Sequence, residues 1–390
     1  MRLLHLQLSA LNSGEEADKL RHKDNIIPLL TFAKSDYLGS MKRLTPLFLF
    51  SFLHSVFNGL SAQSGGMHTF EFLNLANPAR TAALGGTLIS ATDNDLNLSF
   101  QNPSVLDSTM HNRLSFSYVD YFSDVKYGYT AYSRTYKKLG SFSAGMQYVD
   151  YGNFIATDVT GQVTGHFTAA EYALNLSYAR PIDSVFSIGA TVKTIYSKLG
   201  EYTSVGNALD LGGLYHSRKR ALGIALVIKN IGYQWKTYYD VHEPFPFEVQ
   251  LGLSKKIKHA PFRVNFTITH LEKWDLTYVD PSIPTTDPIT GAPIEKNEIA
   301  DFADKLVRHV VLGTEVLISK NFYLAIGYNY LRRQELMLEA SPGMGGFSFG
   351  FGLRIYKFHV SYGYAQYHAA GGPNHFTIST NFSDFYTKKK

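Results

Sequence analysis

The sequence predicts an all-β protein: a single transmembrane antiparallel β-barrel of about fourteen strands, with an N-terminal segment acting as a hatch or plug in its lumen. Three observations predict it. An apolar leader has the layout of a secretory signal, period-two segments of about ten residues recur along the chain, and the connections between them alternate in length.

The composition suits a sheet with one apolar and one polar face. Charged residues make up 18% of the 390, below the roughly 25% of a soluble domain. Aromatics reach 14%, yet mean hydropathy is only −0.11. With no cysteine, neither a disulfide framework nor a thiolate metal site is available. The net charge of +5 is mild, and the basic residues do not gather into the stripe that a nucleic acid partner requires.

Met41-Lys42-Arg43 is followed by the apolar run Leu47-Phe48-Leu49-Phe50-Ser51-Phe52-Leu53 and then by small residues at Gly59-Leu60-Ser61-Ala62, before Gln63. Basic start, short apolar centre and small-residue exit make 41–62 a signal peptide with cleavage expected after Ala62. Residues 1–40 are unlike the rest and read as an extension upstream of a true initiator at Met41. Residues 63–111 are the hatch, 112–385 the barrel and 386–390 a basic periplasmic tail. After Gln63 no apolar run approaches the ~20 residues of a spanning helix.

Within 64–107, Asn77-Pro78, Gly85-Gly86, Asp93-Asn94-Asp95 and Asn102-Pro103 are turn and capping signals of an irregular segment. From Asn112 onward the pattern alternates. Phe262, Val264, Phe266 and Ile268 face one way, with Arg263, Asn265, Thr267 and Thr269 the other. Phe247-Val249-Leu251-Leu253 stands opposite Glu248 and Gln250, and Phe347-Phe349-Phe351-Leu353-Ile355 opposite Arg354. Strands are expected to begin near Asn112, Val125, Ser141, Phe167, Phe186, Asn207, Ala221, Phe247, Phe262, Arg308, Phe322, Gly346, Phe358 and Asn374. Connections 137–140, 181–184, 217–220, 257–260, 319–321 and 356–357 are short. Those at 152–166, 200–206, 233–246, 271–307, 331–345 and 368–373 are mostly long, with 122–124 breaking the trend. Short periplasmic turns and long outer loops suit an outer-membrane barrel, and an even strand count returns the C-terminus to the periplasm, beside the N-terminal segment. Trp235 and Trp274 fall where strands leave for long loops, the position of an outer aromatic girdle.

The run Phe72-Leu73-Asn74-Leu75-Ala76-Asn77-Pro78-Ala79-Arg80, continuing to Gly86, resembles the start of the FadL-like outer-membrane barrels of Bacteroidetes, as does 93–106. Segments 137–142, 260–263, 273–276, 320–324, 327–330 and 358–363 are similar to the branch of that group that serves type IX secretion, and the resemblance spans about 63–385. It implies a plugged fourteen-stranded barrel that anchors a PorZ-like surface protein of the attachment complex, itself in contact with anionic lipopolysaccharide. Residues 1–40 and Lys388-Lys389-Lys390 depart from the pattern.

On the outer side, 297–310 places Ile299, Phe302, Ala303, Leu306 and Val310 on one face of a helix, either docking a partner or folding onto the protein's own rim. Pro281, Pro284, Pro288 and Pro293 hold the first half of that loop extended. Trp235, Tyr238, Tyr239, His242 and Phe245 form a second aromatic group in 233–246. The partner-binding candidates are Trp235, Tyr238, Tyr239, Phe245, Trp274, Ile299, Phe302 and Leu306. The basic turns Lys137-Lys138, Arg218-Lys219-Arg220 and Lys255-Lys256 fall on the periplasmic side, near anionic headgroups.

No HExxH, GxSxG, phosphate loop or paired-carboxylate arrangement is present, and Asp93-Asn94-Asp95 lacks the rest of an EF-hand and reads as a hatch turn. The expectation is a non-enzymatic protein without cofactor or metal, embedded in outer-membrane lipid. Three roles remain open: an anchor for a surface partner, a FadL-like channel for hydrophobic compounds, and a purely structural barrel. The legible lumen positions (Glu248, Gln250, Arg263, Asn265, Thr267, Arg354) are polar, which favours the anchor. An apolar pocket around Leu84, Leu88, Ile89 and Leu98 would favour the channel.

Overall fold

A computed structural model describes residues 68–277, 297–336, 343–367 and 371–386. The upstream extension, the signal peptide, the four loop prolines and the lysine tail lie outside the described residues.

Fourteen strands close into one barrel: Arg113–Asp120 (β1), Lys126–Tyr136 (β2), Gly140–Thr157 (β3), Val163–Pro181 (β4), Phe186–Leu199 (β5), Tyr202–Ser217 (β6), Leu222–Lys236 (β7), Glu248–Lys256 (β8), Phe262–Ile268 (β9), Val310–Val316 (β10), Phe322–Asn329 (β11), Phe347–Ile355 (β12), Phe358–Ala365 (β13) and Asn374–Asn381 (β14). Every strand is antiparallel to its chain neighbours, and β1 closes on β14 with Arg113 opposite Asn381 and Asp120 opposite Asn374. Closure pairs every strand on both sides, which is what a bilayer demands of backbone amides that water cannot reach, and the extensions of β3 beyond Asp150 and of β7 beyond Lys229 pair on one side.

The side chains are arranged opposite to those of a soluble sandwich. On β4, Tyr172, Leu174, Leu176 and Tyr178 are exposed outward, while Glu171, Ala173, Asn175 and Ser177 are buried inward. The same inversion runs round the wall: Leu226, Ile326 and Phe349 face out, and Ser117, Thr191, Gln250 and Ser348 face in. Large apolar side chains left exposed on a continuous surface are stable only against hydrocarbon, so this wall is a membrane-spanning one. Among the described residues no helix is long and apolar enough to cross a membrane, so the strands do the crossing.

Two expected outer loops are not loops. β3 continues to Thr157 and β4 begins at Val163, so most of 152–166 is strand, with Phe154 and Phe167 stacked at 5.1 Å. Gly152 (φ 81°) accommodates a shift of register between Asp150 and Asn153; its turn-like signal marks a bulge and not the end of a strand. Likewise β5 and β6 are joined by Gly200-Glu201 alone, Gly200 taking φ 63°. The wall therefore stands taller over β3–β7, at 14 to 19 residues per strand, than over β8–β14, at 7 to 9.

The segment before β1 packs against the inward face of this wall. It carries a short helix Ala79–Ala83 (α1), another at Leu98–Gln101 (α2), and three 3-10 turns at Glu71–Asn74, Pro103–Val105 and Ser108–Met110. Thr69 donates to the Pro244 carbonyl at the long-loop end, whereas Ser133 at the short-turn end donates to the Met110 carbonyl. The segment thus runs the length of the lumen. Its described start lies at the long-loop end, and its last residues lie at the short-turn end beside the end of β14, where the Phe382 amide donates to the Asn112 carbonyl. Three further helices are not part of the strand wall: Glu298–Arg308 (α3) and Tyr330–Leu336 (α4) at the long-loop end, and Ser383–Tyr386 (α5) after β14.

Wall glycines mark the path of the segment. A Cβ built on Gly363 would meet the Ala79 carbonyl oxygen at 2.2 Å, one on Gly350 the Ala83 Cβ at 2.7 Å, and one on Gly327 the Gly85 nitrogen at 2.2 Å. On the opposite side, Gly223 faces Ser90, Gly212 faces Asn102 and Gly189 faces Pro103, each within 2.5 Å. The wall is bare of side chains where the segment's backbone comes closest.

Candidate functional site in the barrel lumen

Near the long-loop end the inward face is apolar. Val119, Tyr127 and Val149 stand directly across from one another on β1, β2 and β3, Ala173 and Ile195 do so on β4 and β5, and Ala208 continues the arc on β6. Phe70, Phe72 and Leu73 fill this arc, and Phe245 covers it, its ring 5.3 Å from that of Phe70. The expectation of a polar lumen holds for β8 and β9, where Glu248, Gln250, Asn265 and Thr267 are buried. On β1–β6 the inward face is apolar in this arc and polar elsewhere, as at Ser117, Gln147, Asn175 and Thr191, positions not readable as inward without the register.

The rim of the apolar arc is polar. Tyr151 donates to Glu171 at 2.5 Å, and the Tyr238 hydroxyl donates to Ser197. Deeper, Lys193 pairs with Asp210 at 2.7 Å and donates to Asn230 at 2.7 Å. Asn230 sits at φ 58° in an irregularity where Leu209 pairs with Ile231 and Leu211 with Ile228. Its side-chain amide donates to Asn74 and to the Pro246 carbonyl, both at 2.9 Å, so one bulge in β7 ties segment, wall and outer loop together.

Towards the short-turn end the contacts are ionic. Arg80 reaches Glu315 of β10 at 2.8 Å, Asp93 at 2.5 Å and Asp95 at 3.3 Å, and Arg263 of β9 binds both Asp93 (2.6 Å) and Glu315 (3.1 Å). Glu315 is fully buried, with both guanidinium groups within ion-pair distance of its carboxylate oxygens. Burial alone would raise the Asp93 carboxyl, but Arg80 and Arg263 outweigh it and hold it well below the usual carboxylate range.

The turn residues of the segment act as local fasteners. Asn77 donates to the Leu75 carbonyl, and Pro78 leads into α1. Gly85 and Gly86 take φ 93° and 97° at its end, and Ser348 accepts the Gly85 amide at 2.9 Å while Arg332 of α4 donates to the Gly85 carbonyl. Asn102 caps the turn begun by Pro103, accepting from the Ser104 amide, and donates to the Ile89 carbonyl at 2.7 Å. Leu84, Leu88, Ile89 and Leu98 are buried against one another and against Ala225, Val227 and Ala325; they fill space and do not line a pocket.

The outer aromatic candidates divide. Phe245 is 6% exposed and Tyr238 packs on Phe70 at 6.2 Å, so both face the lumen and are unavailable to a surface partner. Trp235 and Tyr239 remain exposed. α3 forms as expected, with Asn297 capping the Ile299 and Ala300 amides, and presents Ile299, Phe302 and Leu306 outward. Trp274, half exposed, lies 5.5 Å from Phe302 and stacks on His309. Val310 is not part of the helix; it opens β10. Sequence reasoning missed Arg80, Glu315, Lys193 and Asp210. Their one advance signal is a lone charge at an inward position of an otherwise small or polar face.

Fold and lumen together define a transmembrane fourteen-stranded barrel with an N-terminal segment inside it. No protein-family model matches the chain, and no curated protein matches it. Among solved structures it is similar to the Ralstonia pickettii toluene transporter TbuX, at 12% identity over 79% of this chain and 99% of that one, with a TM-score of 0.47. The Pseudomonas putida toluene transporter TodX is similar at 12% identity, 79% and 99% coverage and a TM-score of 0.46. A FadL homologue of Pseudomonas aeruginosa is similar at 10% identity, 78% and 98% coverage and a TM-score of 0.43.

Proposed function

We propose that the protein is an outer-membrane channel for hydrophobic compounds, short turns towards the periplasm, in which the segment 69–106 is a movable hatch. The observation that carries this reading is the apolar arc of β1–β6. Phe70, Phe72 and Leu73 stand where an apolar ligand would stand, and their withdrawal uncovers a slot lined by Val119, Val149, Ala173 and Ile195. The ionic contacts of Arg80 with Glu315 and of Asp93 with Arg263 hold the hatch against the wall in its closed position.

The test uses the absence of native cysteine. Ser90→Cys with Ser254→Cys places two thiols where two buried hydroxyls meet at 2.7 Å across hatch and wall. A disulfide there abolishes uptake of a fluorescent fatty acid or a monoaromatic probe into vesicles, and reductant restores it. Uptake that ignores the cross-link, or no uptake by the unmodified protein, rejects the channel.

A second reading is supported by the outer face of α3. Ile299, Phe302 and Leu306, with Trp274 beside them, form an apolar surface suited to a protein partner. This is the anchoring role of PorQ-like barrels in type IX secretion, with a PorZ-like surface protein as the partner. Mild-detergent purification of a tagged chain supports it if such a protein co-purifies stoichiometrically and Phe302→Ser releases it. Neither reading involves catalysis.

A further inference from the structure

Beneath the Arg80 network the lumen opens into a cavity of about 490 Å³, bounded by the 319–321 turn, the β12–β13 turn and the ends of β1, β8 and β14. Its lining carries seven cationic side chains and three carboxylates. Arg80 and Arg263 are engaged by Asp93 and Glu315, and Arg354 by Asp384 at 3.2 Å. Arg113, Lys256, Lys320 and Lys357 make no ion pair among the described residues. The Lys357 ammonium is held over the rings of Phe385 and Tyr356, at 4.4 and 5.1 Å, contacts that fix its place without cancelling its charge. The Arg113 Nε is buried and has no hydrogen-bond partner among the described residues.

Unpaired lysines on a convex surface are ordinary, because water solvates each separately. Four cations round one concave mouth behave differently: low-dielectric walls focus their potential, and a buried guanidinium donor left without an acceptor costs free energy. Both effects are relieved by the same kind of ligand, a compact polyvalent anion with several acceptor oxygens. A lone carboxylate carries a single charge, whereas a phosphate group matches an Arg fork and draws in neighbouring ammonium groups as well. Ser319, Asn321, Ser379 and Asn381 add neutral hydroxyl and amide groups to the same lining.

We propose that this basin binds a phosphate-bearing group, with Arg113 at its floor and Lys256, Lys320 and Lys357 round its mouth. The group is supplied either by a soluble phosphate compound or by the headgroup of an anionic phospholipid. The site stands under either functional reading, since it uses neither the apolar arc nor α3.

The test titrates inorganic pyrophosphate into the purified full chain in zwitterionic detergent by calorimetry. In parallel, the chain is recovered from phosphatidylglycerol nanodiscs and weighed by native mass spectrometry. Pyrophosphate binding that weakens with salt, and falls by about tenfold or more in Lys256→Gln/Lys320→Gln/Lys357→Gln, supports the site with a soluble source. Retention of phosphatidylglycerol but not phosphatidylcholine, lost in the same variant, supports it with a lipid source. Arg113→Gln gives the same loss, and unchanged heat-modifiable migration on gels reports that each variant is a folded barrel. No binding in either arm, or binding that all the variants retain, overturns the proposal. An acidic peptide that binds more tightly than pyrophosphate through the same residues overturns the phosphate assignment.

Discussion

Arg80, in helix α1 of the lumenal segment, donates to Glu315 near the short-turn end of β10 at 2.8 Å, across 235 residues of sequence. The pair belongs to a buried network of two arginines and three carboxylates, so its members are not equivalent. Neutralising Glu315 leaves the network balanced, whereas removing Arg80 leaves Arg263 alone against three carboxylates. Arg80→Met is therefore expected to destabilise the closed hatch by about 3–5 kcal/mol and Glu315→Gln by clearly less. Limited proteolysis of the 69–106 segment in detergent measures the difference, and equal sensitivity of the two variants would falsify the charge argument. The pH dependence follows from Asp93. Its folded pKa is depressed, so its contribution is complete above about pH 4 and is lost as pH falls through the still lower folded value. Mild acid should leave the hatch closed.

Gly327 carries a second prediction. A Cβ at this position would fall 2.2 Å from the Gly85 nitrogen, and that nitrogen belongs to backbone that cannot rotate away. Gly327→Ala is expected to displace the hatch while leaving the β10–β11 and β11–β12 pairings intact. Planar-bilayer recordings should show openings in the variant that the native protein lacks. A silent variant with native protease resistance would mean that the hatch tolerates the intrusion.

Much of the wall was legible in advance because the side-chain period of a strand is local. Phe186, Phe262, Phe322, Phe358 and Asn374 mark strand starts in both sequence and structure. Gly152 was misread because a glycine in a bulge and a glycine in a loop look alike without the partner strand. The helix α3 was legible from its own periodicity, but whether Phe245 faces outward or inward depended on Phe70, 175 residues away. The Arg80–Glu315 contact and the facing of Gly327 by Gly85 are relations between distant segments. Nothing in either stretch alone specifies them. The arc of Val119, Val149 and Ile195 was hidden for the same reason: each is one apolar residue between a tyrosine and a polar residue until closure places them on one lumenal surface.

Leu176 tests the lipid-facing assignment. It is 52% exposed on the outward face of β4, between Ala144 and Val192 on the adjacent strands. An arginine there would have to place its charge in hydrocarbon, at a cost of about 2–4 kcal/mol near the bilayer midplane. The inward neighbour Ser177 instead faces Thr191 at 2.8 Å, in a polar interior. Leu176→Arg should lower the folded fraction in lipid vesicles, and Ser177→Asn should leave it nearly unchanged. The reverse order would put the membrane on the wrong side of the wall.

The outer end offers a pH-dependent contact at His270, just beyond β9. Its ring lies 3.1 Å from Glu272 and 3.8 Å from Glu248, and Glu272 in turn accepts the Val249 amide at 2.8 Å. Burial would lower the His270 pKa, but the two glutamates outweigh it and raise the value to about 9. A raised histidine pKa contributes stability that is fully present below the unfolded value of about 6.5 and is lost as pH climbs through the folded value. The 269–277 turn, which carries Trp274 beside α3, should therefore loosen between about pH 6.5 and 9. Hydrogen exchange of its amides, corrected for the intrinsic effect of pH, should show protection falling across that window. His270→Gln should flatten the profile at the unprotected level. Protection that stays constant in the native protein, or a variant that keeps the native profile, would assign the stability of this turn to packing of Trp274 on His309 and not to the charge on His270.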